Sequence, residues 1–447
     1  MNRSEDFLKK IDELAQQPIP AEVMERARKS LLDYLAVTCA GAAFQKEKLE
    51  KYFAFAGPEE GKYRAVGTGR DLVLSEAVFL NGLNGHALDF DDGTNSGIIH
   101  LGSPIYALLL PLAQKHGIGI EDLLRAAVIG YETSYTMAVS IQPGHKARGF
   151  HATGTCGVLG ASIAASYMLG FSEEERFNAF ASAAVAASGM LKVLDDGSEL
   201  KPYNVAKAAL LALTAVRMAK AGFQGHPDPL GGGRGYFFMM TGQDDVEMKP
   251  VMAQGTYAIM KAYVKPYASC RYTHPSVEAA ILLKNRFGIT PADAESIDIR
   301  TYDLAVAGHD HTEIPGPYSA KMSIPFSVAA ALKYGKAGLL EFSEESVRDP
   351  ELMELTSKVR VAADRELSDA FPAEQTAVLT IRTKGGSVTE RVDFPKGEPE
   401  NPMTEEEFRV RFDGLCEYAG MDAEKTDGIF NKIYGEDVPA DEIMKLV

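Results

Sequence analysis

The apolar period of this chain changes once, near residue 260, and that change constrains the fold more than any single motif. Up to roughly residue 260 the pattern is helical. Val23, Ala27, Leu31, Leu35 and Thr38 fall on one stripe after Pro20, whose fixed φ and missing N–H suit the start of a helix. The small side chains of "AFASAAVAASG" (179–189) permit close helix–helix contact and predict a buried helix there. Past residue 290 the period falls to two: Ile297, Ile299 and Thr301 alternate, "KVRVAA" (358–363) reads as a strand, and "AVLTIRTKGGSVTERVDF" (377–394) reads as a hairpin turning at Gly385-Gly386. Thr404 and Glu407 have the spacing of a capping box that starts a last helix. The expected fold is mainly α. A large all-helical domain is built from both chain ends, residues 1–262 and 398–447, and a smaller α+β domain occupies 263–397.

Composition narrows the partners. A chain of 447 residues with 46% hydrophobic content can bury a large core. The net charge of −16 argues against nucleic acid, which wants a basic face, but leaves room for an anionic substrate in a locally basic pocket. The opening "MNRSEDFLKKIDELAQQ" has no apolar signal core and no apolar run approaches membrane length, so a cytoplasmic location is expected, with no membrane partner. Cys39, Cys156, Cys270 and Cys416 show no C-x-x-C spacing, which indicates neither a zinc site nor a disulfide scaffold.

The stretch "NGHALDFDDGTNSGIIHLGSP" (84–104) concentrates chemistry-bearing residues. Ser75 is placed to cap a helix on which Phe79, Leu83, Ala87 and Phe90 share a face with His86, with Asp89 three residues on. His86 reads equally as a core histidine bonded to its neighbours. "DGTNSG" then ends the helix and Ser103-Pro104 starts the next, which puts His100 just upstream of a helix N-terminus, a natural place for a carboxylate or phosphate. The arrangement recurs: His151 stands two residues before Thr153, Lys201 precedes Pro202, and His274 precedes Pro275 with Lys265, Cys270 and Arg271 close by. Together these groups suit a substrate with two or three carboxylates and proton transfer on it; four unrelated surface loops are the plainer alternative. Asp89, Asp91 and Asp92 also fit the D-x-D-D of helical terpene cyclases, but a chain without Trp lacks part of the aromatic lining carbocations need. A metal site is another reading of the same carboxylates and histidines, without a second carboxylate cluster or an H-x-x-x-H pair to support it. "GGGRG" (231–235) lacks the P-loop pattern and reads as a loop, in which Arg234 is free to approach a carboxylate closely.

The motifs taken together resemble the MmgE/PrpD family: "LLDYLAVTCAG" (31–41), "NGHALDFDD" (84–92), "GFHATGTCGVLGA" (149–161), "LKPYNVAKAA" (200–209), "GGRGYF" (232–237), "KPYASCRYTHPSVEAA" (265–280), "SIPFSVAAAL" (323–332) and "FPKGEPENPMTEEEF" (394–408). The resemblance implies a helical domain with a smaller α+β lid, a homodimer, and a cofactor-independent reaction on a small polycarboxylate with neither metal nor iron–sulfur cluster. Carried over position by position, it implies pocket roles for Asp89, His100, His151, Lys201 and Lys265. The chain departs from the family pattern at Gly93, where threonine is usual, in "HLGS" after Ile99, where "HPS" is usual, at Cys270, where a further histidine occurs, and at Phe326, where a tyrosine occurs. The implied activity is a lyase of the 2-methylcitrate dehydratase type working by proton transfer next to a carboxylate. An epimerase of a dicarboxylate such as iminodisuccinate is the alternative; a cis-aconitate-type decarboxylase and a silent carboxylate-binding protein stand behind both. In that chemistry Lys201 and Lys265 stabilise the developing enediolate, His100 and His151 move protons, Asp89 orients them, and Cys270 serves as a further base. Arg234, Arg271 and His274 are expected to bind carboxylates.

Overall fold

A computed structural model describes residues 2–57, 60–193 and 198–447, the side chains of 56, 253 and 254 excepted. The chain forms two compact units, Met1–Ala262 with Glu406–Val447, and Tyr263–Glu405.

In the first unit the helix Ala21–Phe44 follows Pro20 as its N-cap, and the stripe from Val23 to Thr38 is buried as its spacing requires. Leu32, Tyr34 and Val37, off that stripe, are buried too, so this helix is enclosed on every side along its second half. Glycines let its neighbours approach. A Cβ on Gly41 would sit 2.0 Å from the Asn84 carbonyl oxygen, and one on Gly82 would sit 2.7 Å from Ala206 Cα. The first contact seats the helix Leu74–His86 against Ala21–Phe44; the second seats it against the helix Lys201–Lys220. These two contacts bring the last residue of one helix and the first of another toward the same place. Glu173–Ala186 is the helix expected from the alanine run, but it is buried on one face only: Phe180 is enclosed while Val185 is 89% exposed. The unit is not wholly helical. Glu60–Ala65 pairs antiparallel with Arg70–Leu72, a ribbon too short to show a period of its own. Asn81 ties it down, accepting from the Val66 amide.

The unit closes with three helices, Glu405–Tyr418, Ala423–Tyr434 and Ala440–Met444. The first sends Arg411 inward, where it pairs with Asp33, lies over the Phe90 ring and donates to the Phe90 carbonyl at 2.9 Å. The chain's C-terminal segment thus braces the backbone just before Asp91.

The second unit holds a four-stranded sheet in the order Val359–Ala363, Ser296–Thr301, Ala377–Thr383, Gly386–Val392. The first pair is parallel and the other two antiparallel. The parallel pair needs a crossover, which the helices Ile324–Tyr334 and Pro350–Ser357 supply. Ile297, Ile299 and Thr301 alternate inward. Thr383 pairs with Gly386, so the hairpin turns on Lys384-Gly385, one residue earlier than the sequence suggested. Phe326 is fully buried and packs on Phe342 with ring centroids 5.8 Å apart.

Candidate active site

The helix Leu74–His86 stops at His86, sooner than the sequence pattern implied, and Asp89 does not extend its face. Instead the backbone reverses at Asp89, where φ is +52°, a left-handed conformation that Asp tolerates better than most residues. That reversal projects Asp89 one way while Asp91 and Asp92 turn another. The segment is pinned by a bridge between Thr94 and Ile99 before the helix Gly102–His116 begins. Pro104 is therefore its third residue rather than its first.

Asp91 and Asp92 form a closed floor. Asp91 accepts from Ser103 Oγ at 2.6 Å and from His86 Nδ1 at 2.8 Å, and His100 Nδ1 lies 3.3 Å away. Burial pushes this carboxyl up, but the His100 and His86 contacts outweigh it and hold Asp91 well below the usual carboxylate range. Asp92 accepts from the Gly102 amide at 2.9 Å and from the Tyr131 hydroxyl at 2.5 Å, and Tyr131 in turn bonds Ser30. Burial raises Asp92. The helix N-terminus that the sequence offered to an external carboxylate is thus occupied by Asp92 itself.

Above this floor lies a second layer. Lys201 is the first residue of its helix and puts Nζ 2.7 Å from Asp89 Oδ1. His100 Nε2 is 3.5 Å from the same oxygen. His100 Nδ1 faces two acceptors, the Asp92 carbonyl at 2.9 Å and Asp91, which assigns the proton to Nδ1 and leaves Nε2 as the exchanging atom. His151 caps the short helix Ala152–Thr155, and its Nδ1 accepts from Asn204 Nδ2 at 3.2 Å, which places its proton on Nε2. Burial, then Lys201, holds His151 well below the ordinary imidazole range, and burial pushes His86 down to about 4, so both rings are neutral. The His86 ring sits 4.5 Å from His100 and 6.2 Å from His151, centroid to centroid. Asp89, His100 and Lys201 each keep 8% exposure, against 2% for Asp91 and 1% for His86. The upper layer can meet a solute; the floor cannot.

His86, Asp89, Asp91 and His100 offer donor atoms within 4.8 Å of one another, a spacing that suits a metal ion. Their present bonds work against it. A metal there would have to displace the Lys201 ammonium from Asp89 and compete with the Ser103 and His86 bonds to Asp91.

The first unit therefore gathers Asp89, His100, His151 and Lys201, while Arg234 is exposed in its glycine loop. Of the second unit's candidates, Lys265 is 1% exposed. Arg271 is committed to Glu398, bonding it through both Nε (3.1 Å) and Nη2, and its Nη1 lies 2.8 Å from His274 Nδ1. His274 Nε2 reaches the Ser269 carbonyl at 3.2 Å, so both of its nitrogens are engaged inside the unit. Cys270 is half-buried beside His309. Sequence reasoning read Ser103 as a helix start rather than as a donor to Asp91, and it passed over Tyr131, Asn204 and the separate duties of the three aspartates. Asn204, three residues after Lys201 on a helix, was open to detection by spacing. Tyr131 lies mid-helix in an apolar stretch and carried no signal.

The sequence profile of the MmgE/PrpD N-terminal domain matches residues 5–249, and that of the MmgE/PrpD C-terminal domain matches residues 267–433. The chain belongs to the MmgE/PrpD family. Among its relatives are the cis-aconitate decarboxylase of Aspergillus terreus, 25% identical over 429 residues covering 90% of this chain and 87% of that protein, and the cis-aconitate decarboxylase of Mus musculus, 25% identical over 426 residues covering 92% and 86%. The alkylcitrate dehydratase phiI of Talaromyces stipitatus is 24% identical over 324 residues, 68% of this chain and 63% of that one. The chain is thus similar along most of its length to MmgE/PrpD relatives bearing two different reaction names. No helix among the described residues is long and apolar enough to cross a membrane.

Proposed function

We propose that this MmgE/PrpD protein is a lyase that moves a proton next to a carboxylate of a small di- or tricarboxylate. The observation that carries the reading is the Asp89–Lys201 pair with His100 Nε2 directed at the same oxygen. An α-proton is weakly acidic, so its removal needs a base beside a fixed cation that steadies the enediolate. His100 Nε2 is the base or acid, Lys201 the cation, and Asp89 sets the position of both. His151, neutral with its proton on Nε2, donates to a substrate carboxylate or serves as the second acid. Relatives named for citrate-like acids support a polycarboxylate substrate, and dehydration of the 2-methylcitrate type is the finer proposal. Lys265 stays in the proposal on the sequence resemblance, and Cys270, Arg234, Arg271 and His274 on their local setting in the sequence; the closed bonding of Arg271 and His274 favours a framework role for those two. A cytoplasmic homodimer working without a cofactor completes it, with light scattering as the check on the dimer.

One observation favours a second reading. Phe326 is sealed in the second unit's core and has no hydroxyl to give a leaving group. An epimerase of a dicarboxylate such as iminodisuccinate has no leaving group to protonate. Proton NMR of the purified protein with candidate polycarboxylates in D2O separates the two: vinyl signals mark dehydration, and α-deuteration without them marks epimerisation. Binding with neither change leaves only the silent carboxylate binder.

A further inference from the structure

One thiol differs from the other three. Cys39, Cys156 and Cys416 are buried, and burial pushes Cys156 and Cys416 up to about 11 and Cys39 higher still. Cys270 is half-buried, with Sγ 3.4 Å from His309 Nε2. His309 Nδ1 lies 2.9 Å from the Ala307 carbonyl, an acceptor only, so Nδ1 carries the proton and the Nε2 lone pair faces the sulfur. Tyr272 packs edge-on to the His309 ring, centroids 5.3 Å apart at 87°. The Cys270 backbone is held as well, its amide donating to the Lys321 carbonyl at 2.8 Å and its carbonyl accepting from the Thr273 amide at 2.9 Å. An oriented imidazole against a fixed, half-buried thiol is the arrangement that makes cysteine a nucleophile. The nearby charges do not undo it. Arg271 is spent on Glu398, and burial keeps the Tyr272 and Tyr302 phenols protonated.

We propose that Cys270 and His309 form a thiol–imidazole nucleophile that takes alkenes conjugated to a carbonyl or carboxyl group. The thiol proton passes to His309 Nε2 and the sulfur bonds the β-carbon. The alkene electron pair moves to the α-carbon, which takes the proton back from the imidazolium. The sum is addition of the thiol across the double bond, with nothing oxidised or reduced. This pair stands independently of the lyase reading, because labelling requires no turnover.

A short pulse of N-ethylmaleimide on the full chain at pH 7, read cysteine by cysteine by mass spectrometry, tests it. The expected adduct forms on Cys270 at least about tenfold ahead of the other three thiols and disappears in Cys270→Ser. His309→Gln is expected to slow it about tenfold with an unchanged melting temperature. Should that variant fail to fold, the wild-type rate is compared with the urea-unfolded chain, in which Cys270 is expected to react more slowly. An equal rate in His309→Gln, a faster rate in the unfolded chain, or no lead for Cys270 overturns the proposal.

Discussion

Lys201 Nζ and Asp89 Oδ1 lie 2.7 Å apart, each contributed by a residue at a break in regular structure: Lys201 opens a helix and Asp89 sits in a left-handed turn. Neither position is fixed by the other's local sequence. The pair is made by Gly82 against Ala206, which lets the two supporting helices approach. Replacing Asp89 by Asn removes the charge that holds the ammonium while keeping the shape. Turnover is expected to fall about 100-fold or more with little change in melting temperature. Steady-state kinetics on a folded Asp89→Asn protein check this, and near-normal turnover would remove Asp89 from the site.

Gly82→Ala tests the support beneath that pair. Its Cβ would stand 2.7 Å from Ala206 Cα, so the helices must separate. A cost of about 1–3 kcal/mol is expected, with a loss of activity larger than that of an equally destabilised variant remote from the site. Chemical denaturation and kinetics on the same preparations give both numbers.

Tyr131→Phe deprives Asp92 of a donor 2.5 Å away in a closed interior. Leaving that oxygen unpaired is expected to cost about 1–3 kcal/mol and to loosen the 91–101 segment. Hydrogen exchange at the Gly102 amide, which Asp92 also binds, should quicken in the variant; unchanged protection there would show that Asp92 does not anchor the segment.

How much of this was legible in the sequence follows from the kind of interaction involved. The helices around Leu31 and the strands at Ile297 and Ala377 announced themselves because burial imposes a period on the chain. The positions of Lys201 and His151 at helix starts were legible for the same local reason. The division of labour among Asp89, Asp91 and Asp92 was not. It depends on one φ angle and on partners at Tyr131 and Ser103, distant in the chain or hidden in apolar surroundings. The Glu60–Ala65 ribbon escaped notice because three or four paired residues leave no periodic trace. Arg411, reaching Asp33 and Phe90 from far along the chain, had no sequence signal at all.

The buried imidazoles give the protein a pH signature. Burial pushes His86 down to about 4, whereas in the unfolded chain it titrates near 6.5. As pH falls from about 6.5 toward 4 the unfolded chain binds more protons, so this contribution is complete above that window and lost within it, up to about 3 kcal/mol. Asp33, raised by burial to about 6, acts in the opposite sense: its contribution is present below about 3.9 and lost as pH rises through 6. The difference between variants therefore carries the information. His86→Asn is expected to lose less melting temperature than wild type between pH 7 and pH 4.5. Parallel curves would mean that His86 titrates alike in the folded and unfolded chain.

The most direct test of the Asp89–Lys201–His100 group is to follow the α-proton itself. Wild type, Lys201→Ala and His100→Gln are incubated with the substrate identified from the polycarboxylate panel, in D2O, and the α-position is read by proton NMR. Wild type should exchange or eliminate that proton, and both folded variants should do so at least about 100-fold more slowly. Exchange at the wild-type rate in either variant would contradict the assignment of proton transfer to these residues.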